Sequence, residues 1–454
     1  MIGTILLSAL AEKLGGERFG DDIEVSVLST DTRAIKKGDT YLALVGENFN
    51  GNEFVAEAFS KGAVAAIVSD IGPENSQPLI QVKDTHIALG KIASLSRQKS
   101  IAKVIALTGS QGKTTVKEMI GAILNCEGET LITQANLNNT IGVPLTLLQI
   151  NESHKYAVIE MGADCHGEVE FSATITKPDI ALLTNANAAH IEGFGSLQGI
   201  VQAKGEIIDP TPEDASIILN ADDPSVEQWI QRAGKRNVLL FSEANSSADC
   251  YAENIEVAEK GIVSFDLHTP KGEEQITLKV LGRHNVINAA AAALAAQTSG
   301  ASLASIKTGL ESLVPVQSRL NPIIGLRDCC VVDDTYNASP NSFKAAIDVL
   351  MFFPEKKILV AGDMKELGTE AEDSHRQVGA YAADAGVEDL WAVGELSKLT
   401  AEGFGPNSKS FDSMQELISA CKAAANNNVV FLVKGSRGAH MEDVVRELTV
   451  GGGD

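Results

Sequence analysis

The sequence lacks an apolar run long enough to cross a membrane. It also lacks the basic beginning of a signal peptide, because the apolar first residues are followed at once by the charged pair Glu12 and Lys13. The spacing of apolar residues in this stretch is typical of an amphipathic helix. We therefore expect neither secretion nor membrane insertion.

Basic residues are scarce. The 454 residues include 37 Lys and Arg against 60 Asp and Glu, which gives a formal net charge of −23. A charge of this sign repels phosphate backbones and anionic lipids, so we expect no nucleic-acid partner. Any anionic ligand must be held by local hydrogen-bond donors.

Cysteine is also sparse. The six cysteines are scattered, and the adjacent pair Cys329 and Cys330 lacks the CxxC spacing of a metal clip. This usage excludes a disulfide scaffold and favours reduced thiols in the cytoplasm. The contents of 44% hydrophobic and 21% charged residues are ordinary for a folded protein.

Short apolar runs alternate with helical patterns along the chain, which predicts the α/β class with three domains in series. We expect a small N-terminal α/β domain at 1–82, a central domain at 83–313 with a phosphate-loop parallel sheet, and a Rossmann-like C-terminal domain at 314–454. The predicted strands lie at 25–28, 40–45, 63–68, 104–108, 156–160, 180–183, 216–219, 330–332, 357–360, 390–393 and 429–433.

A glycine-rich segment follows the apolar run 104–108 and precedes a predicted helix at 116–124. Strand, loop and helix in this order are typical of a phosphate site, where backbone N–H groups and the helix dipole hold the anion. Lys113 would add positive charge, and Thr114 would place its hydroxyl on Mg²⁺. The full phosphate-loop motif has a glycine at the position that Leu107 occupies in this chain. A glycine-rich turn with a solvated lysine is therefore the alternative. The candidate ATP-binding residues of this loop are Thr108, Gly109, Ser110, Gln111, Gly112, Lys113, Thr114 and Thr115.

Glu160 ends the apolar run 156–160, at the place where open α/β sheets put ligand residues. Mg²⁺ prefers hard oxygen ligands and keeps several waters, so one carboxylate and one hydroxyl from the protein would be enough. We expect Glu160 to bind Mg²⁺. A carboxylate that caps the next helix is the alternative.

Four polar residues of the predicted central domain are weaker candidates for a functional site. His190 and Lys204 follow a strand end, but taken alone they are more typical of a structural histidine and a solvated lysine. Asn285 and Asn288 lie three residues apart, so their amides share a helix face and could recognise adenine. Helix capping by asparagine is the alternative.

The last predicted domain adds Arg319, which could stabilise charge on a γ-phosphate, and Asp334, which could accept ribose hydroxyls. Asn337 and Ser339 follow in a segment whose Asp, Asn, Ser and Pro residues also suit an ordinary turn.

Taken together and in this order, the motifs resemble the Mur ligase family of peptidoglycan synthesis over nearly the whole chain. Within this family, the motifs look most like those of the member that adds D-alanyl-D-alanine. The matching segments are 29–33, 38–39, 42–46, 62–63, 108–115, 136–144, Glu160, His190, Lys204, Asn285, Asn288, Arg319, 333–337 and 434–437.

The resemblance implies roles that the residues alone do not give. Its N-terminal module would hold a UDP-sugar through Thr30, Asp31, Thr32 and Arg33, and Asn138, Asn139 and Thr140 would also bind substrate. Lys204 would be carbamylated by CO₂. The carbamate and His190 would then support a second Mg²⁺, which an unmodified ammonium could not do.

The implied reaction uses ATP to join UDP-N-acetylmuramoyl tripeptide to D-alanyl-D-alanine through an acyl phosphate, in a cytoplasmic monomer. The segment 337–342 lacks the Asp-Asn-Pro-Asn-Arg signature of the diaminopimelate-adding sibling, so a bidentate arginine clamp is missing there. Lys434 or Arg437 would bind the carboxylate of the dipeptide. A sibling ligase with another amino acid, or a nucleotide switch that is not a ligase, remains the alternative, and the third residue of the peptide stays open.

Overall fold

Parallel strands joined by helices form three successive α/β units in the computed structural model, which describes residues 3–46, 48–71, 77–187 and 191–449. Each unit has its own sheet, so the predicted α/β class and the serial arrangement are confirmed. Within the described part of the chain, no helix is long and apolar enough to cross a membrane.

The first unit has a five-stranded sheet in the order β2-β9-β8-β5-β4, in which only β2 is antiparallel to its neighbour. Helix α1 buries Leu7, Leu10, Ala11 and Leu14, which confirms the predicted amphipathic helix. The elements are β1 (Ile5–Leu6), α1 (Leu7–Leu14), β2 (Glu17–Phe19), β3 (Glu24–Val25), β4 (Leu28–Ser29), β5 (Thr40–Leu42), β6 (Val45–Gly46), β7 (Phe49–Asn50), α2 (Val55–Ser60), β8 (Ala65–Val68), β9 (Leu79–Gln81) and α3 (Thr85–Lys99).

The second unit has a six-stranded sheet in the order β11-β12-β10-β13-β14-β15, and all of its strands are parallel. Its elements are β10 (Lys103–Thr108), α4 (Lys113–Asn125), β11 (Thr130–Ile132), α5 (Gly142–Leu147), β12 (Tyr156–Glu160), α6 (Glu168–Thr176), β13 (Ile180–Leu183), α7 (Ile191–Phe194), α8 (Leu197–Gly205), β14 (Ser216–Asn220), α9 (Val226–Ala233), β15 (Asn237–Phe241), β16 (Tyr251–Val257), β17 (Val263–Thr269), β18 (Gly272–Leu278), α10 (His284–Ser299) and α11 (Leu303–Ser312).

Alternate residues of β10 face opposite sides of this sheet. Ile105 and Leu107 pack in one core with α4 and the alanine-rich α10, whereas Val104 and Ala106 pack in a second core on the other side. A strand buried on both faces reads as a continuous apolar run, which is why the sequence identifies it. Strand β10 lies between β12 and β13, so the carboxyl ends of these three strands meet at one edge.

The third unit has the strand order β19-β20-β24-β21-β22-β23, in which β19 is antiparallel and the other five strands are parallel. This is the predicted Rossmann-like arrangement. Its elements are β19 (Asn321–Ile324), β20 (Cys330–Asp334), α12 (Pro340–Leu350), β21 (Lys356–Ala361), α13 (Ala371–Ala385), β22 (Asp389–Val393), α14 (Ser397–Phe404), β23 (Ser408–Phe411), α15 (Met414–Ala424), β24 (Val429–Lys434) and α16 (Glu442–Leu448).

Helix α3 lies where the first and second units meet. Its Ala88, Leu89 and Ile92 belong to the core of the first unit, and Ala93 belongs to a core of the second. A side chain at Gly90 would meet the Phe171 ring of α6, since an added Cβ would lie 2.7 Å from it. The helix is therefore shared, and the borders at 82 and 313 stay predictions.

Candidate active site

A cavity of about 630 Å³ opens at the carboxyl edge of the central sheet and is closed on one side by the third unit. Most of the residues predicted for ATP, metal and substrate line it. These are Gly109, Ser110, Gln111, Gly112, Lys113, Thr114, Thr115, Asn138, Asn139, Glu160, Lys204, Asn285, Asn288, Arg319, Asp334, Asn337, Ser339 and Lys434.

The loop between β10 and α4 depends on two glycines. Gly109 has φ +146°, and a Cβ there would lie 2.0 Å from Thr184 Oγ1. Gly112 has φ +79° and precedes α4, and its Cβ would lie 2.6 Å from Asn288 Oδ1. No side chain caps α4 at Gly112, so the first N–H groups of the helix remain donors for an anion.

Asn185 holds the other side of this loop. Its carbonyl accepts from the Ser110 N–H at 3.0 Å, and its Oδ1 accepts from the Gln111 N–H at 2.9 Å. The Thr184 hydroxyl donates to the Gln111 carbonyl at 2.7 Å. Asn185 was not predicted from the sequence, although it is the second residue after β13 and has a strand-end signal similar to that of Glu160.

Lys113 is folded back over the loop. Its Nζ donates to the Gly109 carbonyl at 2.6 Å and to the Ser110 carbonyl at 3.3 Å. Burial is the main influence and lowers the pKa of Lys113, while the nearby Glu160 carboxylate acts in the opposite direction.

Glu160 has one satisfied and one open oxygen. Oε1 accepts from Asn138 Nδ2 at 2.9 Å and from the Thr114 hydroxyl at 3.3 Å. Oε2 is buried and has no hydrogen-bond partner among the described residues. The ammonium of Lys117 lies 3.9 Å away, which is an ion-pair distance but too long for a hydrogen bond. A buried carboxylate oxygen in this state is suited to a hard cation beside Thr114.

The start of α10 borders the same cavity. Arg283 is its N-cap residue, so neither Asn285 nor Asn288 caps the helix. Asn285 Nδ2 donates to the Leu281 carbonyl at 2.8 Å, and Asn288 Nδ2 donates to Asn285 Oδ1 at 2.9 Å. The amides thus form a fixed pair at the cavity wall. The cavity is also lined by four residues that were not predicted from the sequence, Asn220, Asp222, Asp223 and His284.

Two contacts join the third unit to the phosphate loop. Arg319 Nη2 donates to the Thr114 hydroxyl at 3.0 Å, and Gln111 Nε2 donates to the Ser339 hydroxyl at 3.0 Å. Both partners on the loop are residues predicted to bind ATP. The third unit therefore contributes directly to the site.

Family models match most of the chain in three blocks. The Mur ligase family catalytic domain matches residues 24–97, the Mur ligase middle domain 107–296 and the Mur ligase glutamate ligase domain 318–437. A relative from Escherichia coli (strain K12), named UDP-N-acetylmuramoyl-tripeptide–D-alanyl-D-alanine ligase, is 44% identical over 456 residues, which covers 99% of both chains. The chain belongs to the Mur ligase family.

Solved structures agree with this assignment. A crystal structure of MurF from Acinetobacter baumannii superposes with a TM-score of 0.92 at 35% identity, over 98% of this chain and 99% of the other. MurF from Thermotoga maritima in complex with ADP gives a TM-score of 0.85 at 27% identity, over 93% and 97% of the two chains. The three-unit fold of this Mur ligase is therefore the fold of these enzymes.

Lys204 lies at the cavity wall of this Mur ligase and is only 3% exposed. Its Nζ donates to the Ala163 carbonyl at 3.3 Å and lies 4.9 Å from the centre of the Phe194 ring. Burial and then the positive charge of Lys113 lower the pKa of Lys204 to about 7. The solvated-lysine alternative is therefore wrong. His190, its predicted partner, lies outside the described residues.

Lys434 and Asp334 are paired with each other. Lys434 Nζ lies 2.6 Å from Asp334 Oδ2 and also donates to the Asn337 carbonyl at 2.9 Å. The predicted substrate contacts of both side chains stay predictions, but in this structure their charges are balanced internally. Arg437 is exposed, 3.9 Å from Glu442, and does not line the cavity.

Of the remaining predicted residues, Asn139 lines the cavity, whereas Thr108, Thr140 and the segment 30–33 do not. The Thr108 hydroxyl is buried and donates to the Met161 carbonyl at 2.7 Å, whereas Asn139 Oδ1 accepts from the Gly142 N–H at 2.8 Å. The carbonyl of Thr140 is 3.0 Å from His86 Nε2.

The segment 30–33 belongs to the first unit, and none of its residues lines the cavity. Arg33 is exposed there, and its hydrogen bonds lower the pKa of Asp31 to about 2. The hydroxyl of Thr32 donates to Glu57 at 3.2 Å.

Proposed function

We propose that this Mur ligase uses ATP to join UDP-N-acetylmuramoyl tripeptide to D-alanyl-D-alanine in peptidoglycan precursor synthesis. One observation carries the proposal most directly. The phosphate loop, the open oxygen of Glu160 and Arg319 of the third unit face a single cavity. The names of the relatives and the small polar segment 337–342 support the dipeptide as the amine.

ATP supplies the good leaving group that a free carboxylate lacks in amide formation. The tripeptide carboxylate attacks the γ-phosphorus of ATP, and the bond to the bridging oxygen breaks, which gives an acyl phosphate and ADP. The amine of the dipeptide then attacks the acyl carbon. Phosphate leaves and the amine loses a proton, so that an amide remains. The protein supplies positioning and electrostatics to both steps.

Local hydrogen-bond donors and cations would hold the phosphates, although the chain as a whole carries a negative net charge. Lys113 and the first N–H groups of α4 would bind them, and Arg319 would stabilise charge on the γ-phosphate. Thr114 and Glu160 are the residues that would hold Mg²⁺, which neutralises phosphate charge when it is bound. Among the described residues there is no cluster of three or more His, Cys, Asp or Glu side chains suited to a metal. One hydroxyl and one carboxylate from the protein would be enough, because Mg²⁺ usually keeps several waters.

Lys204 is proposed to react with CO₂. Only a neutral amine can attack CO₂, and a pKa of about 7 leaves a substantial neutral fraction near pH 7. A bond forms between Nζ and the carbon of CO₂, and Nζ loses a proton, which converts the cation into an anionic carbamate. That group, together with His190, would be a ligand for a second Mg²⁺.

The first unit is proposed to hold the UDP-sugar through Thr30, Asp31, Thr32 and Arg33. A monomer is proposed as the active form. We propose that the enzyme works in the cytoplasm, where ATP is available and thiols stay reduced. All six cysteines are free, as this proposal requires.

Phosphate release from ATP tests this proposal. The ligase should release phosphate only when UDP-N-acetylmuramoyl tripeptide and an amine are both present, whereas a nucleotide switch would need neither. A panel of amines then tests the acceptor. Preference for a free amino acid over D-alanyl-D-alanine would overturn the choice of acceptor but leave the ligase class intact. Parallel assays with lysine- and diaminopimelate-containing tripeptides would identify the third residue.

A further inference from the structure

Arg319 lies between two residues with an uncommon backbone conformation. Ser318 has φ +61° and Leu320 has φ +46°, and neither is a glycine. The left-handed region is unfavourable for residues that carry a Cβ, so the surrounding structure must hold this segment in place.

The segment 333–336 provides the contacts that hold it. The Ser318 hydroxyl donates to Asp333 Oδ2 at 3.2 Å, and the Leu320 N–H donates to Asp334 Oδ1 at 3.2 Å. The Tyr336 N–H donates to the Ser318 carbonyl at 3.1 Å. Both sides of Arg319 are thus tied to the end of β20.

The side chain of Arg319 is held by the same segment. Its Cζ lies 4.1 Å from the centre of the Tyr336 ring, while Nη2 reaches the Thr114 hydroxyl at 3.0 Å. A ring supports the face of a guanidinium and leaves its in-plane N–H donors free. A carboxylate would instead occupy those donors and compete with phosphate. Among the described residues, none forms an ion pair with Arg319.

We propose that Tyr336 is a positioning residue whose ring orients the Arg319 guanidinium toward the phosphate loop. This inference rests on the proposed function, in which Arg319 contacts the γ-phosphate of ATP. Tyr336 acts through Arg319, so its contribution depends on the aromatic ring, disappears when Arg319 is absent, and affects ATP more than ADP.

Binding measurements test these three properties without turnover. ATP and ADP affinities are measured by titration calorimetry, with neither acid nor amine present, for the wild type, Tyr336→Leu, Tyr336→Phe, Arg319→Ala and the double variant Tyr336→Leu/Arg319→Ala. Tyr336→Leu should lower the ratio of ATP to ADP affinity by roughly 2- to 30-fold, the range that a cation–π stack contributes. Tyr336→Phe should keep most of the ratio, and ADP affinity should stay unchanged in both.

The Arg319→Ala background decides between positioning and packing. Adding Tyr336→Leu to it should change the ratio no further. A full Tyr336→Leu effect in that background, equal losses for ATP and ADP, or a Phe variant that behaves like Leu would each overturn the inference. If Tyr336→Leu does not fold, Tyr336→Met replaces it, because methionine also lacks an aromatic face.

The proposed function can fail separately from this inference. A wild type that binds ATP but forms no amide would contradict the ligase proposal and leave the binding cycle interpretable. An unchanged ATP preference in Arg319→Ala would overturn the role of Tyr336 together with the phosphate role of Arg319, whereas amide formation by the wild type would still establish the ligase.

Discussion

Replacing Lys434 by methionine tests whether this lysine stabilises the third unit or binds the amine substrate. Its side chain is 2% exposed, and its partner Asp334 is 13% exposed at 2.6 Å. Removing one partner of a buried ion pair typically costs about 3–5 kcal/mol, because the other charge stays buried and unpaired. Asp334 borders the cavity and can take up water, so we expect a loss near the lower end, about 3 kcal/mol.

Urea unfolding followed by tryptophan fluorescence measures this loss. The chain has only two tryptophans. A Trp229→Phe background therefore leaves Trp391, in β22 of the third unit, as the reporter. The double variant Lys434→Met/Asp334→Leu removes both charges and should recover most of the stability. Lys398→Met is the surface control, since its ion pair with Asp412 is exposed and should contribute less than about 1 kcal/mol.

Two outcomes would refute this reasoning. If Lys434→Met unfolds at the same urea concentration as its background but loses affinity for D-alanyl-D-alanine, the lysine is a substrate ligand and the pair with Asp334 is not structural. Equal destabilisation by the single and double variants would contradict the charge-pair argument and leave only packing.

Four further results are expected. Lys113→Ala should abolish phosphate release while its urea midpoint stays at the wild-type value, because this lysine contacts the loop and supports no core; undiminished activity would exclude the phosphate site. Gly112→Ala should lose about 1–2 kcal/mol of stability and also ATP affinity, because the added Cβ needs φ +79° and meets Asn288; calorimetry that finds unchanged affinity would contradict the loop geometry. Lys204→Ala should lose most activity and regain part of it with short-chain carboxylic acids, whereas an active wild type that intact-mass measurement shows to be unmodified would rule out the carbamate. At fixed dissolved CO₂, uptake by Lys204 should be roughly tenfold faster at pH 8 than at pH 6, because a pKa of about 7 makes the amine mostly neutral above that pH; equal rates would argue against it.

The central strands and the phosphate loop could be predicted because their signals are local. A strand buried on both faces gives an unbroken apolar run, so 156–160 and 180–183 coincide with β12 and β13. The loop follows from its glycines and from the helix after it. Glu160 follows from its place at a strand end.

The three-stranded antiparallel sheet of β16, β17 and β18 was missed because its strands have one exposed face. Glu253 and Glu256 interrupt the first strand, and Glu273 and Glu274 begin the last, so no continuous apolar run exists there. This polar pattern does not identify the three segments as strands.

Long-range pairs could not be predicted at all. Lys434 and Asp334 lie 100 residues apart in sequence, and only the adjacency of β20 and β24 brings them together. A basic residue at a strand end is equally typical of a ligand site. The structure alone shows the internal partner, as it also does for Arg319 and Tyr336.

The shared helix α3 limits how the protein can be dissected. A fragment that ends at residue 82 would lack Leu89 and Ile92 and would leave the core of the first unit open on one side. A fragment that starts at residue 100 would uncover Phe171 and the neighbouring apolar surface. Either fragment would expose an apolar surface and would tend to aggregate. Studies of the isolated first unit should therefore include α3 and allow for the fact that this helix normally packs against Phe171.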